Sequence, residues 1–469
     1  MNKGSSRPWW MALLLAVMGS ALACWTLESF RVLDWGHGVA RTALLALLIA
    51  AGLAVLHGAP GRAWTWTQQP RWVAGLLAIA TAYLCVSTVA QGMASFQEIR
   101  RGREIGFDQG RFCYRAARMI GMGLNPYAHA VVLDTTEYPM ALQALQRGPC
   151  YESGPRADLG RILAEGFGRD FNARRFDGLI PKIANRTGCA TARLRVESFG
   201  LKYGPSLLAA YLPFVLVWDQ AGILAANLLF LGVACLFTWR LGWRAGHRSI
   251  LLALVPLIAF LLPSHLRHNT FANPATDIIP TALLVAAWAL IEDDREVIGA
   301  VLLALGFAAK LAPGLFYLPL LLRCRGRAQV VFAGTLALIL GPFLVWDWRG
   351  LVTNLFLFNF LRDTDSTALL HGLGWLATKV IQGLCVLVSV AALVYAHRRR
   401  YDFTGFLTFL LVVHGAAIAS GKTFHNNYLI WIPHLLGLAM VVGLARDSTT
   451  SSQNQYPVHD HRSPNGLRG

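Results

Sequence analysis

An aspartate, Asp108, precedes three arginines at helical spacing, Arg111, Arg115 and Arg118, while Phe112, Ala116 and Met119 mark another face of the same segment. The pattern is that of an amphipathic helix lying at a membrane interface. A carboxylate at its start can cap the helix, and it can also take a proton from a hydroxyl as a general base. The segment stops at Gly123-Leu124-Asn125-Pro126-Tyr127, a glycine stop followed by an Asn-Pro turn. Far along the chain, Lys310 sits inside the apolar run Phe307 to Pro313. A lysine at that depth is expensive and faces a partner or a wet cavity, and its chemistry is anion binding, phosphate above all. Two more polar groups sit at the edges of apolar runs. Lys202-Tyr203-Gly204-Pro205 reads either as an interfacial anchor or as a substrate contact. The turn Gly421 to Asn427 crowds Lys422, His425 and two amides together, through solvation or substrate contact.

The elements that must position these groups are membrane helices. Hydrophobic residues make up 55% of the 469 and charged residues only 14%, and apolar runs of roughly 15 to 23 residues recur, which excludes a soluble domain. The runs are Trp9 to Trp25, Thr42 to His57, Trp72 to Ala94, Tyr203 to Val217, Ala221 to Trp239, Ile250 to Leu262, Ala275 to Ile291, Ile298 to Leu322, Val330 to Trp346, Gly374 to Ala396, Phe403 to Ser420 and Tyr428 to Ala445. They do not alternate, so they are helices and not barrel strands. The expectation is an all-α polytopic membrane protein with about 11–13 transmembrane helices. An N-terminal hairpin covers 1–71, a membrane catalytic domain 72–445 with a large external loop at 95–202, and a disordered cytoplasmic tail 446–469. Lys3 and Arg7 ahead of the first run read as a retained signal anchor.

The short loops carrying Arg62, Arg323 to Arg327 and His397 to Arg400 read as cytoplasmic, which puts 95–202, Asp347 to Leu373 and Gly421 to Asn427 together on the outer face. Twelve full crossings would nevertheless put Arg240, Arg244, Arg248 and Glu292-Asp293-Asp294 outside. At least one run must therefore be re-entrant or broken, and Ile298 to Leu322, interrupted by Lys310 and Pro313, is the best candidate. The net charge of +17 suits cytoplasmic retention and anionic lipid, with no nucleic-acid module visible. His265, His268 and Asp277 match no strong metal-ligand spacing, and Asp363-Thr364-Asp365 is too short to specify one. Among the loop cysteines Cys113, Cys150 and Cys189, a Cys150 to Cys189 disulfide is open.

Taken together, Asp108, Tyr114 and Gly123-Leu124-Asn125-Pro126-Tyr127 resemble the first external loop of GT-C membrane glycosyltransferases, in particular glycosyltransferase family 87. Tyr203-Gly204-Pro205-Ser206-Leu207 resembles that family's Tyr-x-Pro-Pro-Leu, with Gly204 where Pro is usual. Gly306 to Pro313 resembles its small-residue, Lys, x, x, Pro element, Asp365-Ser366-Thr367 an Asn-Gln-Ser segment, and Ser420 to Pro433 its His-bearing polar turn. The resemblance runs from about residue 72 onward. It implies a GT-C-like fold with amphipathic juxtamembrane helices in the first loop. It also implies inverting transfer of a hexose, mannose-like, from a polyprenyl-phosphate donor to a hydroxyl of a lipid or glycan acceptor, at the outer face of the cytoplasmic (inner) membrane. Asp108 would be the base; Lys310, with Arg111 or Lys202, would hold the leaving phosphate; His425 would orient donor or acceptor; and Tyr203, Asn125, Tyr127 and Lys422 would contact substrate. No metal or cofactor is implied, since basic side chains can hold a monophosphate. The alternatives are a carrier or flippase of a lipid-linked saccharide, and a polysaccharide ligase using a diphosphate-linked donor.

Overall fold

A computed structural model describes residues 49–57, 71–127 except 104, 106, 107, 122 and 124, then 201–357 except 273, then 368, 370, 373–421 and 430–453, without 128–200. Among the described residues the regular structure is all helical. A long α1 (Arg71–Arg100) is followed by the amphipathic α2 (Asp108–Gly121). Beyond the large loop come α3 (Pro205–Trp218), α4 (Ala221–Ala245) and α5 (Ile250–Leu261), then a short helical and π-helical segment, Ser264–Ala272. The middle of the bundle is α6 (Ile278–Glu292), α7 (Glu296–Ala309) and α8 (Leu311–Tyr317), the last extended by a 3-10 turn to Leu322. It closes with α9 (Gly326–Val352), α10 (Trp375–Arg398), α11 (Phe403–Ser420) and α12 (Pro433–Gln453). Five of these, α1, α4, α9, α10 and α11, are long and apolar enough to cross a membrane, and six shorter apolar segments pack among them. The chain is a multi-pass membrane protein.

Side-chain pairing defines two ends of the bundle. At one, Arg240 and Arg244 of α4 pair with Asp293, Arg323 pairs with Glu292, and the Arg325 amide donates to Glu296. Trp288, one turn from Glu292, stacks on Phe403, so the α10–α11 turn with Arg398, Arg399 and Arg400 lies at this same basic end. At the other end, Lys310 meets Asp277, the Gly204 amide bonds to the Ala309 carbonyl, and Tyr127 reaches α9 at Gly350.

The irregular run expected at Ile298 to Leu322 is present, broken at Lys310, whose backbone is extended (φ −151°, ψ 113°). Helix α7 starts beside Glu292 and the chain returns to Glu292 and Glu296 at Arg323 and Arg325, so α7–α8 is a hairpin that enters and leaves at the basic end. Its 14-residue first limb is about 21 Å long, short of a hydrocarbon core of about 30 Å. Pro313 falls in the first turn of α8, where its missing N–H costs no helical bond. Gly314 allows the two limbs to touch, because a Cβ there would fall 2.5 Å from the Phe307 Cα.

A second irregularity was not expected. The run Tyr203 to Val217, read as a crossing, forms α3, which begins against the last turn of α7, with the Ser206 hydroxyl donating to the Leu305 carbonyl at 2.5 Å. It then pairs with the first half of α4, where Tyr211 donates to Asn227 at 2.7 Å and Gly222 abuts the Phe214 backbone. Both its ends stay in the half of the bundle that holds Lys310. An apolar stretch of this length is stable there because it packs between α2, α4 and α7 instead of crossing. The two departures cancel: with α3 held on one side and α7–α8 folded back, Arg240, Arg244, Glu292 and Arg323 all fall at one end. The last helix also runs through 446–453, beyond the point where the tail was expected to begin, since extending a nucleated helix fixes one residue per added bond.

Candidate functional site

Helix α2 is built as its pattern demands. Phe112, Cys113, Ala116, Ala117 and Met119 are buried, whereas Arg118 is exposed and Arg111 and Arg115 lie between. Asp108 is the first residue of the helix. Its neighbour Gln109 is buried and accepts hydrogen bonds from the amide and hydroxyl of Thr276, both at 3.2 Å. Gly110 lies under the Pro274 carbonyl, which a Cβ would approach to 2.7 Å. The start of α2 is thereby pinned to the loop that opens α6. Farther along, Tyr114 donates to Asp219 at 2.7 Å, and burial followed by that bond pushes the phenol up to about 12.

Because the folded-state value lies above the ordinary one, the Tyr114 contribution is complete below about pH 10 and is lost as pH rises through about 12. Tyr114→Phe should cost about 1 kcal/mol, at the low end for a bond to a charged group because Asp219 is largely exposed. Melting curves of the two proteins in detergent should differ by a constant amount up to about pH 10 and converge above it.

Asp277, next to Thr276, is fully buried and accepts from the Lys310 ammonium at 2.5 Å. A carboxylate taken out of water needs such a partner, and the extended backbone at Lys310 delivers the ammonium to it. The Trp431 and Tyr203 rings lie 5.1 and 6.0 Å from the Lys310 Nζ, within cation–π range. Helix break, acid and aromatic walls thus form one corner, joined to the start of α2 through Gln109 and Thr276.

The other expected residues surround this corner in different ways. The Lys202 ammonium lies over the Phe112 ring at 5.2 Å, and the Arg111 Nε donates to the Ile105 carbonyl at 3.0 Å. Asn125 and Tyr127 are both buried. The Asn125 side chain accepts from the Tyr127 amide at 2.9 Å, the Tyr127 hydroxyl donates to the Tyr203 carbonyl at 2.7 Å, and Asn354 donates to the Tyr127 carbonyl at 2.8 Å. These bonds tie the two ends of the large loop together and to Asn354, in the π-helical turn just past α9. Lys422 and His425 lie outside the described residues, as do Asp363 and Asp365, Cys150 and Cys189. The described residue Trp431, just beyond the His-bearing turn, stands against Lys310. Asp277, Gln109 and Asn354 were not assigned site roles from the sequence. For Asp277 a signal existed, because a lysine inside an apolar run calls for an acid, and this one opens the next run at the same end.

Gly204 has two constraints. Its amide donates to Ala309 at 3.0 Å, which a proline cannot do, and a Cβ would overlap the Ala308 carbonyl. Both neighbours are backbone, so Gly204→Ala should shift α3 away from the Lys310 corner and destabilise the protein by about 1–3 kcal/mol, read as a lower melting temperature in detergent.

Comparison with known proteins agrees with this assembly. The model of glycosyltransferase family 87 matches residues 201–421, a span that contains Lys202, Tyr203, Asp277 and Lys310 and stops short of Lys422. No curated protein and no solved structure matches the chain. With the family model aligned over α3 to α11, the helices that carry Lys310 and Asp277, residues 201–421 form a glycosyltransferase family 87 domain, and the protein is a membrane glycosyltransferase.

Proposed function

We propose that this glycosyltransferase moves a hexose, mannose-like, from a polyprenyl-phosphate donor to a hydroxyl of a lipid or glycan acceptor, with inversion, at the outer face of the cytoplasmic membrane. The carrying observation is the Lys310 ammonium, set at a helix break, fixed by buried Asp277 and walled by Tyr203 and Trp431. An ammonium has three N–H donors, so one bond to Asp277 orients it without exhausting its capacity for phosphate oxygen. In the reaction the bond from the anomeric carbon to the phosphate oxygen breaks and a bond to the acceptor oxygen forms. The acceptor proton passes to the Asp108 carboxylate, and the electron pair leaves with the phosphate, whose growing charge Lys310 stabilises in a partly dry corner. Lys202 and Arg111 supply further positive potential. Lys422 and His425 belong to the turn that leads into Trp431, and we assign them to the same pocket as orienting contacts. Asn125 and Tyr127 shape the wall that carries Tyr203.

The basic end supports the orientation, since short arginine-bearing loops are retained in the cytoplasm, which turns the Lys310 corner outward. On this reading 72–445 is the catalytic domain, preceded by an N-terminal membrane hairpin, and membrane lipids surround both. The test is incubation of the purified protein with a panel of polyprenyl-phosphate sugars. Release of free polyprenyl phosphate together with a new glycosidic bond is expected. Transport of a labelled saccharide across vesicles with no new bond would establish a carrier instead, and release only from diphosphate-linked donors would establish a ligase.

A further inference from the structure

A cavity of about 510 Å³ opens between the end of α1, α2 and the α3–α4 turn, at the same end of the bundle as Lys310 but on the outside of α2. One wall is cationic: Arg100, Arg103 and Arg118 line it, with Asp219 the only acid among the lining residues. The other wall is apolar and faces outward. Leu216, Val217 and Trp218 are 67%, 68% and 42% exposed, and the Trp218 ring stacks on Phe214. Arg103 also pairs with Glu98 and Arg118 with Asp219 at 3.4 Å, which keeps their guanidinium groups at the rim, while among the described residues Arg100 has no ion-pair partner. A water-soluble anion would meet the cations but gain nothing from three exposed apolar side chains. A neutral lipid would meet the apolar wall and gain nothing from the cations.

We propose that this cavity binds the phosphate headgroup of an anionic membrane lipid, with its chain lying along Leu216, Val217 and Trp218. The site goes beyond the transfer reaction, since none of its residues belongs to the Lys310 corner, and it uses two recognition terms together. Guanidinium groups bind phosphate oxygens through paired N–H donors, and the chain covers apolar surface at the leaflet edge. Occupancy would also tie α1 to the α3–α4 turn on which Tyr114 of α2 rests.

The test is lipid retention by the full-length protein, measured by native mass spectrometry with a short-chain phosphatidylglycerol, the matching phosphatidylcholine and inorganic phosphate as separate probes. Phosphatidylglycerol should bind about tenfold tighter than phosphatidylcholine, the equivalent of one charge-assisted hydrogen bond, and inorganic phosphate should not displace it at equal concentration. Arg100→Gln with Arg103→Gln should bring the two lipids to equal affinity, and Leu216→Ser should weaken both. Arg100→Gln alone, at an exposed position without an ion-pair partner among the described residues, serves if the double variant does not fold. Equal affinity for the two lipids in the wild type, or unchanged preference in the arginine variants, would overturn the proposal. Full displacement by inorganic phosphate would show an anion site with no lipid specificity, and would overturn it as well. Because the readout is binding, a protein with no transferase activity still answers the question.

Discussion

Replacing Asp108 by Asn should lower the rate of sugar transfer by about 10²–10⁴-fold, the usual contribution of a positioned general base. Asparagine keeps the shape of the side chain and the capacity to cap a helix, but it cannot accept the acceptor proton. The start of α2 is held independently of this side chain, by Gln109 on Thr276 and by Gly110 beneath Pro274. Melting temperature and donor binding should therefore stay close to wild type while turnover falls, so that kcat changes and the donor Kd does not. Wild-type turnover by Asp108→Asn would remove the base from this residue. Equal losses of binding and turnover would make it a cap alone.

Lys310→Met should be severe for two separable reasons. The first is structural: it leaves the buried Asp277 without its cation, a change that typically costs about 3–5 kcal/mol. The second is chemical: on the proposed mechanism it removes the charge that stabilises the leaving phosphate, for which about 10²–10³-fold in kcat is expected. The double variant Lys310→Met with Asp277→Leu separates them. Replacing both partners of a buried pair with apolar groups is close to neutral for folding, so the double variant should regain most of the melting temperature and remain inactive. Recovery of activity along with stability would show that the pair is a structural bolt and that the phosphate is held elsewhere.

How much of this was legible in the sequence depends on the range of the interaction concerned. The break at Lys310 could be read because it is local, a lysine and a proline in one apolar run, and the start of α2 because its arginines recur at helical spacing. Helix α3 could not be read correctly. An apolar run that dips and returns has the same composition as one that crosses, and only its packing on Leu305 and Asn227 distinguishes them. The closing of the large loop was hidden for the same reason, since Tyr127 finds Asn354 across 227 positions. Arginine placement did carry that information indirectly. Arg240 and Arg323 share an end if one of the three runs between them fails to cross, which the sequence exposed, but setting that end opposite the large loop needs α3 to fail as well, which it did not expose.

The bond from Gly204 to Ala309 bears on the order in which the protein is made. During synthesis α3 emerges well before α7, so the Gly204 amide and the Ser206 hydroxyl reach the membrane before Ala309 and Leu305, their eventual acceptors, exist. Hydrocarbon supplies no substitute partner, so the start of α3, though α2 and α4 are already beside it, keeps these two donors unsatisfied until α7 arrives. It therefore settles only once the hairpin at Lys310 has been inserted. Insertion of that hairpin completes the hydrogen bonding of α3 and brings Lys310 to Asp277, and the corner is walled only when Trp431, still later in the chain, joins it.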